Sequence, residues 1–421
     1  MRKGILLVFL LISAFIQAPV HYFSALPTAQ QAVVGEKLTL AINWPKTWQR
    51  FLQIVNVNYS PAISLQQGQP VAREPGEAEL AVKLFGFLPL HRFTVRVLPE
   101  MHLIPGGQSI GVLLKSRGVM VVGYAPITSE GEEKIYPGRD AGVLIGDTIL
   151  AINGKNINNE KEMAEIITQI GQKGEKAILT IERRGTRLQV AVTPRFCPET
   201  QSYRIGLYIR DSASGVGTLT FIEPKKAYFG ALGHIIADSD TSEPIDIREG
   251  KIVRAVVQAI HKGKEGFPGE KLGVFVDDGS WWGEITHNTQ VGIFGRIYGK
   301  FPASRPLPVV SNNQVETGPA QILTVINGEK VEAFTIKIKK LLPPDRPDGK
   351  GMVVEITDPR LLKETGGIIQ GMSGSPIIQK GRIVGAVTHV LVNNPRLGYG
   401  CYIEKMLEEA GLVETWKKAA S

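Results

Sequence analysis

The sequence predicts a mainly β protein built from several domains. The chain has 421 residues, and at about 100–200 residues per domain this length predicts two to four of them. Hydrophobic residues make up 43% and charged residues 21%, a globular composition that excludes wholesale disorder. The 46 glycines and 26 prolines predict many turns and few long helices. Short runs that alternate apolar and polar residues, as β-strands do, recur along the chain.

The first 25 residues are predicted to form an export signal or a membrane-anchor helix. Met1, Arg2 and Lys3 form a basic start, and an apolar run follows over residues 4–16. This order is typical of an export signal. The run is short for a spanning helix of about 20 residues, but residues 17–23 extend it towards an uncleaved anchor. We therefore expect the rest of the chain to lie outside the cytoplasm, tethered or released.

Residues 30–100 are predicted to form a small β-sandwich. Alternating runs occur at residues 37–42, 80–84 and 93–97, and glycine and proline separate them. No cluster of reactive side chains occurs in this part of the sequence. We therefore expect it to serve as a spacer or adaptor.

Residues 103–196 resemble a PDZ domain. The resemblance rests on residues 137–154, which end in an Ile-Asn-Gly turn, and on a predicted helix whose apolar face holds Met163, Ile166, Ile167 and Ile170. A PDZ domain binds a peptide as an added strand, and N–H groups of a glycine-containing loop bind the terminal carboxylate. Here that loop is predicted at Ser109, Ile110, Gly111 and Val112. The alternative is a PDZ-like unit that only packs against its neighbour.

Residues 200–421 are predicted to form a two-barrel or large sandwich domain. Strand-like runs recur with glycine-rich turns between them, at residues 292–298, 320–326, 334–342, 352–356, 375–379 and 383–392. Only residues 404–411 and 413–418 have helical periodicity. About 200 residues of strands with few helices are typical of such all-β architectures.

The hexapeptide from Gly371 to Pro376 is predicted to carry a nucleophilic serine. The flanking glycines let the backbone turn tightly at Ser373. They also leave the backbone N–H groups of Gly371 and Ser373 free to stabilise an oxyanion. The pattern resembles the Gly-x-Ser-Gly-x-Pro turn of chymotrypsin-like proteases. A plain turn between strands is the alternative, and Ser375 is the competing nucleophile.

His234 is the best candidate for the base that such a serine needs. Glycines and apolar residues surround it over residues 229–238, as expected at the wall of a site. His389 is interpreted as a strand residue near the site. His261 and His287 are the other histidines of this part of the chain.

The stretch from Thr365 to Gln379, together with residues 385–390 and 398–400, resembles the stage IV sporulation protein B peptidase family. The Gly233-His234 segment, the PDZ-like unit, the N-terminus and the overall length resemble that family too, so the likeness covers nearly the whole chain. The resemblance implies a chymotrypsin-like double β-barrel peptidase domain. It also implies catalytic roles for His234, Asp358 and Ser373.

The family consists of serine endopeptidases of spore-forming bacteria, and the resemblance implies the following function. The protein is made in the forespore and exported across its inner membrane into the space between the two surrounding membranes. It cleaves a membrane-bound inhibitor of an intramembrane metalloprotease and so triggers processing of the late mother-cell sigma factor. It also cleaves itself near the N-terminus, and its PDZ domain takes part in this step and in target recognition.

The acid of the predicted triad departs from the usual two-barrel pattern. Asp358 lies 15 residues before Ser373 and 124 after His234, whereas the acid normally comes from the first barrel. A role for Asp358 as a turn residue ahead of Pro359 therefore stays open, with Asp277 and Asp278 as its rivals. A triad acid needs a carboxylate oxygen within about 2.6–3.2 Å of a ring nitrogen of His234.

No cofactor and no metal are expected, because the sequence has no His-Glu-x-x-His motif and its histidines are widely separated. Two cysteines, Cys197 and Cys401, exclude a disulfide scaffold and a four-cysteine zinc site, and their pairing stays open. The net charge of +8 is scattered, which with the export signal disfavours nucleic acid as a partner but suits a membrane-associated protein. The second functional candidate is a non-catalytic PDZ adaptor of the cell envelope with a protease-like scaffold.

Overall fold

The structure is a computed structural model that describes residues 28–38, 50–128, 134–300 and 304–413. The predicted export or anchor segment, residues 1–25, lies outside this described part. Within it, no helix is both long enough and apolar enough to cross a membrane.

The N-terminal unit is a small β structure. Its strands are β1 (Ala29–Val33), β2 (Leu52–Asn56), β3 (Ile63–Gln66), β4 (Gln69–Ala72), β5 (Gly76–Leu84) and β6 (Leu88–Leu98). Four of them form a sheet in the order β1-β6-β5-β2, and β3 and β4 form a separate hairpin. The alternation of the sequence puts Leu80, Phe93 and Val95 of the sheet against Ile63 of the hairpin in one apolar core.

The next stretch of chain contains a PDZ-like unit, residues 119–211. The elements of the stretch are β7 (His102–Pro105), β8 (Ser109–Tyr124), β9 (Ile127–Thr128), β10 (Lys134–Ile135), α1 (Pro137–Asp140), β11 (Thr148–Ile152), β12 (Lys155–Asn156), α2 (Glu160–Gln172), β13 (Ala177–Arg183), β14 (Thr186–Val192), β15 (Arg195–Cys197) and β16 (Ser202–Arg204). The Asn159 side chain caps α2 by accepting the Glu162 N–H at 2.8 Å. The predicted apolar face of α2 packs into the core of this unit: Met163, Ile167 and Ile170 are buried, and Ile166 is partly buried beside them.

A first β-barrel surrounds the start of β8. Its remaining strands are β17 (Leu207–Glu223), β18 (Tyr228–Ala231), β19 (Ile247–His261), β20 (Glu270–Val276), β21 (Trp281–Thr289) and β22 (Gly292–Gly299). Backbone pairing runs from β8 through β19, β21, β22, β18 and β17 and back to β8, which closes a six-stranded ring. Strand β20 pairs with the second half of β19.

The prediction of a peptide-binding loop at Ser109, Ile110, Gly111 and Val112 is wrong. These residues form the start of β8 and pair on both sides, with residues 215–218 of β17 and with residues 252–254 of β19. The Phe275 ring also covers Gly111 so closely that a side chain there would collide with it. A strand with two paired edges cannot accept a further peptide strand.

The first barrel and the PDZ-like unit share two strands. Strands β8 and β17 pair from Ser109–Thr218 in the barrel to Tyr124–Leu207 in the PDZ-like unit. The predicted boundary between a PDZ domain at 103–196 and a peptidase domain at 200–421 therefore does not match the structure, because the barrel takes β8 from the first range. The two units are joined by a continuous β ladder, which is stiffer than a linker.

A second barrel follows in the C-terminal part of the chain. Its elements are β23 (Leu307–Pro308), a 3₁₀ turn (Asn312–Gln314), β24 (Gly318–Val325), β25 (Val331–Leu341), β26 (Met352–Ile356), α3 (Pro359–Thr365), β27 (Pro376–Gln379), β28 (Arg382–Val390), β29 (Leu397–Tyr402) and α4 (Ile403–Glu409). Six strands form a closed barrel in the order β24-β25-β26-β29-β28-β27, so the predicted double β-barrel is confirmed. Cys197 and Cys401 are both buried and unpaired.

Candidate active site

A cleft of about 1070 Å³ lies between the two barrels and contains both His234 and Ser373. One wall is formed by β17, by β20 and by the loop that follows β18. The opposite wall is formed by the Ser373 turn and β28. This volume is at the upper end of small-molecule pockets, which enclose about 300–1,000 Å³. The cleft therefore has room for several residues of a peptide.

The turn that carries Ser373 depends on its two glycines. Gly371 has φ +91° and Gly374 has φ +94°, in the left-handed region that favours glycine. At Gly374 a side chain would also collide with the carbonyl oxygen of Thr218. The Gly374 N–H donates to the Val387 carbonyl at 2.7 Å, which holds the turn against β28.

Two N–H groups of this turn are free. The Met372 N–H donates to the Ile369 carbonyl at 3.1 Å. Within the described part of the chain, neither the Gly371 N–H nor the Ser373 N–H donates a hydrogen bond. Buried N–H groups are normally paired, so two free donors on one turn are suited to binding an oxyanion. The arrangement supports the predicted oxyanion hole.

The Ser373 hydroxyl lies in the cleft but does not hydrogen-bond to His234. It donates to the Thr388 carbonyl at 2.6 Å, so attack on a substrate requires rotation of this side chain towards the histidine. The competing Ser375 is fully buried, and its hydroxyl donates to the Met372 carbonyl at 2.6 Å. Ser375 therefore faces the protein interior, away from any substrate.

His234 lies just after β18 and is oriented by the backbone. Its Nδ1 lies 2.7 Å from the carbonyl oxygen of Ile235. Because a carbonyl oxygen can only accept a hydrogen bond, Nδ1 carries the proton and Nε2 keeps the lone pair that a general base needs. Burial lowers the pKa of His234, and the Ile235 hydrogen bond opposes this only in part. The neutral, basic form is therefore favoured.

His389 lies beside His234, with 4.9 Å between the two ring centroids. Burial, helped by the nearby His234 and Lys350, lowers the pKa of His389 to about 4. His389 is therefore neutral near pH 7 and places no positive charge beside the base. Its position at the end of β28 fits its interpretation as a strand residue near the site.

The structure does not bring Asp358 to His234. Asp358 is the N-cap residue of α3: its carboxylate accepts the N–H groups of Arg360 and Leu361, both at 3.0 Å, and of Thr335 at 3.3 Å. It does not line the cleft. The predicted contact with His234 is therefore wrong for this structure, because the Asp-Pro sequence starts a helix here.

The rival carboxylates do not contact His234 either. Asp277 pairs with Lys251 at 2.7 Å and Asp278 with Arg254, both outside the cleft. Asp238 lines the cleft, but its carboxylate is bound by Arg210 at 2.7 Å. Among the described residues, no carboxylate hydrogen-bonds to His234, and no three His, Cys, Asp or Glu side chains cluster so as to hold a metal ion.

We predict that Asp358→Asn changes kcat/KM less than about threefold. Asparagine caps a helix as well as aspartate does, and only the long bond from the Thr335 N–H is lost. If Asp358 instead oriented the base, the same change would cost up to about 10⁴. Peptide hydrolysis and thermal unfolding of Asp358→Asn and Asp358→Ala separate the two roles, because a cap alone predicts that only Ala loses about 1 kcal/mol of stability.

Two buried threonines of β17 hold the nucleophile turn, and sequence reasoning missed both. The Thr218 N–H donates to the Ser373 carbonyl at 3.0 Å, and its hydroxyl donates to the Gly371 carbonyl at 2.7 Å. The Thr220 hydroxyl donates to the Gly374 carbonyl at 2.7 Å. Only the Thr-x-Thr alternation at the end of a strand signals them in the sequence. They fix a turn of the second barrel to a strand of the first.

Thr218→Val should lower kcat by about 10- to 100-fold with little change in KM. Valine keeps the volume and the β propensity but leaves the Gly371 carbonyl without its partner, at a cost of about 1–3 kcal/mol. That carbonyl belongs to the residue whose N–H is proposed to bind the oxyanion. Steady-state kinetics measure the effect, and Thr218→Ser, which restores the hydroxyl, should recover most of the rate. An increase in KM with an unchanged kcat would contradict this role.

Lys271 lies directly behind the same turn. It is fully buried, and its Nζ donates to the Thr324 hydroxyl at 2.8 Å. Burial lowers the pKa of Lys271 to about 7. Its aliphatic chain packs against Gly371, where a Cβ atom would lie 3.1 Å from three of its carbons. Lys271 therefore supports the turn sterically from the first barrel.

Residues 201–407 match the family model described as SpoIVB peptidase S55. This part of the chain belongs to the SpoIVB peptidase family. The family predicted from the sequence is thereby confirmed, and with it the class of enzyme, a serine peptidase. The matched range contains His234, Ser373 and both of the threonines that hold the Ser373 turn.

More distant similarities concern parts of the chain. Proteins described as probable periplasmic serine endoprotease DegP-like, from Brucella suis and Brucella abortus, are each 27% identical over 126 residues, which is 28% of this chain and 24% of theirs. The match thus spans about a quarter of these relatives. Among solved structures, the Rv3671c protease of M. tuberculosis in its active form is 15% identical over 47% of this chain and 75% of its own, with a TM-score of 0.28. The PDZ domain of an SdrC-like protein from Listeria monocytogenes is 17% identical over 22% of this chain and 87% of its own, with a TM-score of 0.18.

Proposed function

We propose that this SpoIVB peptidase is an exported regulatory serine endopeptidase of sporulation. Its target is a membrane-bound inhibitor of an intramembrane metalloprotease, and cutting that inhibitor releases processing of the late mother-cell sigma factor. The observation that carries the catalytic part is the cleft between the barrels, which contains Ser373, His234 and two free N–H groups on one turn.

The reaction follows from this geometry. When Ser373 rotates away from the Thr388 carbonyl, its hydroxyl becomes available to Nε2 of His234, which removes the proton during attack on a peptide carbonyl. The Gly371 and Ser373 N–H groups then stabilise the negative oxygen. His234 returns the proton to the leaving amine as the C–N bond breaks, and a water molecule, deprotonated by His234, then hydrolyses the acyl-serine ester. Among the described residues the Ile235 carbonyl takes the orienting place that a carboxylate has in a triad.

The cellular setting rests on the family and on the N-terminal sequence. The basic and apolar start of the chain favours export, and the periplasmic description of the DegP-like relatives agrees with an exported protein. We place the protein in the space between the two membranes around the forespore, anchored or released after cleavage. There it meets the exposed part of its membrane-bound target, and the PDZ-like unit binds that target and the chain's own N-terminal region before self-cleavage.

The test is cleavage of a reconstituted target. A membrane-bound inhibitor of the intramembrane metalloprotease, inserted in lipid vesicles, is incubated with the purified full chain and with Ser373→Ala, and cuts are mapped by mass spectrometry. The proposal predicts cuts in the exposed part of the inhibitor only with the wild-type protein. An intact inhibitor, with activity retained on other peptides, would contradict the proposed target.

A second function is favoured by one observation. Ser373 donates to Thr388 and not to His234, and no carboxylate supports the histidine in the described part of the structure. This arrangement suits a non-catalytic PDZ adaptor with a protease-like scaffold. An adaptor predicts that Ser373→Ala supports sporulation as well as the wild type does. The peptidase predicts that this strain stops before the late sigma factor is processed.

A further inference from the structure

We propose that the free edge of strand β17 binds the part of a substrate that follows the scissile bond. The substrate is added to β17 as an antiparallel strand and is guided from Ser373 towards helix α2. This inference rests on the proposed peptidase function and specifies its substrate as an extended chain with several residues on the leaving side.

Strand β17 is paired along only one edge over most of its length. Residues 207–218 pair with β8, whereas β18 joins the opposite edge only from Leu219 onwards. Among the described residues, the backbone groups of residues 212–216 have no partner on that opposite edge. These five residues line the cleft that contains His234 and Ser373. An unpaired edge of this kind is a template for an additional strand.

The register of this edge relative to the nucleophile is defined by Thr218. The Thr218 N–H donates to the Ser373 carbonyl, and the Thr218 carbonyl accepts the Leu232 N–H at 3.2 Å. Both groups therefore point away from β8. Alternate residues of a strand direct their N–H and C=O groups to the same side, and the pairing of β17 with β8 has no irregularity from Ser212 to Thr218. Val216, Ser214 and Ser212 thus present their backbone groups to the cleft.

The direction of the bound chain follows from the position of the base. His234 must reach the leaving amine, so the substrate segment after the scissile bond lies on the His234 side of the cleft. That side is the first barrel, to which β17 belongs. A segment that starts near Thr218 and moves away from Ser373 runs opposite to β17, so its pairing is antiparallel.

The same edge reaches the PDZ-like unit. The Asp211 carboxylate accepts the Glu160 N–H, the first of α2, at 3.2 Å, so the helix starts beside the strand. Among the strands that the structure describes, residues 207–210 pair only with β8. From Val216 to Leu207 the strand has ten residues, and the nine steps between them span about 30 Å at about 3.3 Å each. Some ten substrate residues after the scissile bond would therefore reach the PDZ-like unit, where PDZ domains bind peptides between a strand and a helix.

The test uses α-ketoamide peptides, which form a reversible hemiketal with an activated serine. Acetyl-Ala-Leu is linked through the ketoamide to zero, four or eight alternating Ala and Thr residues on the leaving side. Leucine is chosen because Ile368, Ile369 and Val390 line the cleft beside the Ser373 turn. Affinity for the full chain is measured by competition with phosphonate labelling of Ser373. We expect the eight-residue compound to bind at least about tenfold more tightly than the shortest one.

A methylation scan and two variants test whether the backbone edge causes the gain. N-methylation at alternate positions of the eight-residue compound should remove its gain in affinity, because alternate N–H groups face β17. Methylation at the positions between them should leave the gain unchanged. Ser214→Pro, which deletes an unpaired edge N–H as proline does on edge strands, should abolish the gain in affinity. Ser214→Ala keeps that N–H and should keep the gain.

The outcomes separate the two proposals. Equal affinity of all three lengths, or a gain that resists both the scan and Ser214→Pro, overturns the role of the edge while the serine peptidase stands. Failure of every compound to bind, with no phosphonate adduct on Ser373, overturns both. A length-dependent gain that is lost at alternate methyl positions supports the edge as the site of the leaving-side chain.

Discussion

Ser373→Ala should abolish peptide cleavage and leave the fold intact. The serine oxygen is the attacking atom of the proposed reaction, and removing such a nucleophile typically costs about 10⁴–10⁶ in rate. The structural cost is small, because within the described residues the Ser373 hydroxyl makes one hydrogen bond, to the Thr388 carbonyl, worth about 1 kcal/mol. Hydrolysis of a peptide and thermal unfolding of the purified variant measure the two effects.

Ser375→Ala is the matched control. The Met372 carbonyl that accepts the Ser375 hydroxyl also accepts the Ser375 N–H at 2.9 Å, so it stays paired in the variant. We expect a far smaller loss of activity than with Ser373→Ala. Cleavage by Ser373→Ala at the wild-type rate would show that the nucleophile has been assigned to the wrong residue.

His234→Ala should reduce turnover by about 10⁴ or more, because it removes the general base of the proposed reaction. His389, the neighbouring ring, is the control: His389→Gln removes an imidazole of similar position without removing the base, and it should cost much less. If His389→Gln were as damaging as His234→Ala, the roles of the two histidines would have to be exchanged.

The pH profile adds an independent check on His234. A base must be neutral to act, so activity falls as the pH drops through its pKa. Burial lowers the pKa of His234 below its ordinary value of 6.5, which keeps the base neutral to lower pH. The acid limb of kcat/KM should therefore have its midpoint below 6.5. A midpoint above that value would indicate that a carboxylate stabilises the charged imidazole during catalysis.

The features encoded by local pattern could be predicted from the sequence. The alternation of apolar and polar residues predicted several strands of the two barrels, and the spacing of apolar residues predicted the buried face of α2. The glycines around Ser373 predicted a turn with a backbone conformation that only glycine adopts easily. His234 and Ser373 meet in one cleft, as the resemblance to the family implied. The strands, the helix face and the turn are determined by residues that are neighbours in sequence, whereas the meeting of His234 and Ser373 was implied only by the resemblance.

The features that depend on distant parts of the chain were missed. Gly111 was interpreted as a loop residue, but it lies in a strand that pairs with β17 and β19, whose partner residues are more than 100 positions away. The ring of Phe275 occupies the space beside it. Asp358 precedes a proline, and an Asp-Pro pair can start a helix as readily as it can lie in a catalytic loop. Thr218 and Thr220 gain their importance only from a turn some 150 residues later, and their Thr-x-Thr spacing does not by itself indicate that contact.

Labelling of the folded chain with a peptidyl diphenyl phosphonate tests the central claim most directly. Such a reagent modifies a serine only where a base and an oxyanion site activate it. After labelling of the wild type, Ser373→Ala, His234→Ala and heat-unfolded protein, the adducts are mapped by peptide mass spectrometry. The account predicts one adduct, on Ser373, that is absent from Ser373→Ala, strongly reduced in His234→Ala and lost on unfolding. An adduct on a different residue, or no adduct on protein shown to be folded, would contradict it.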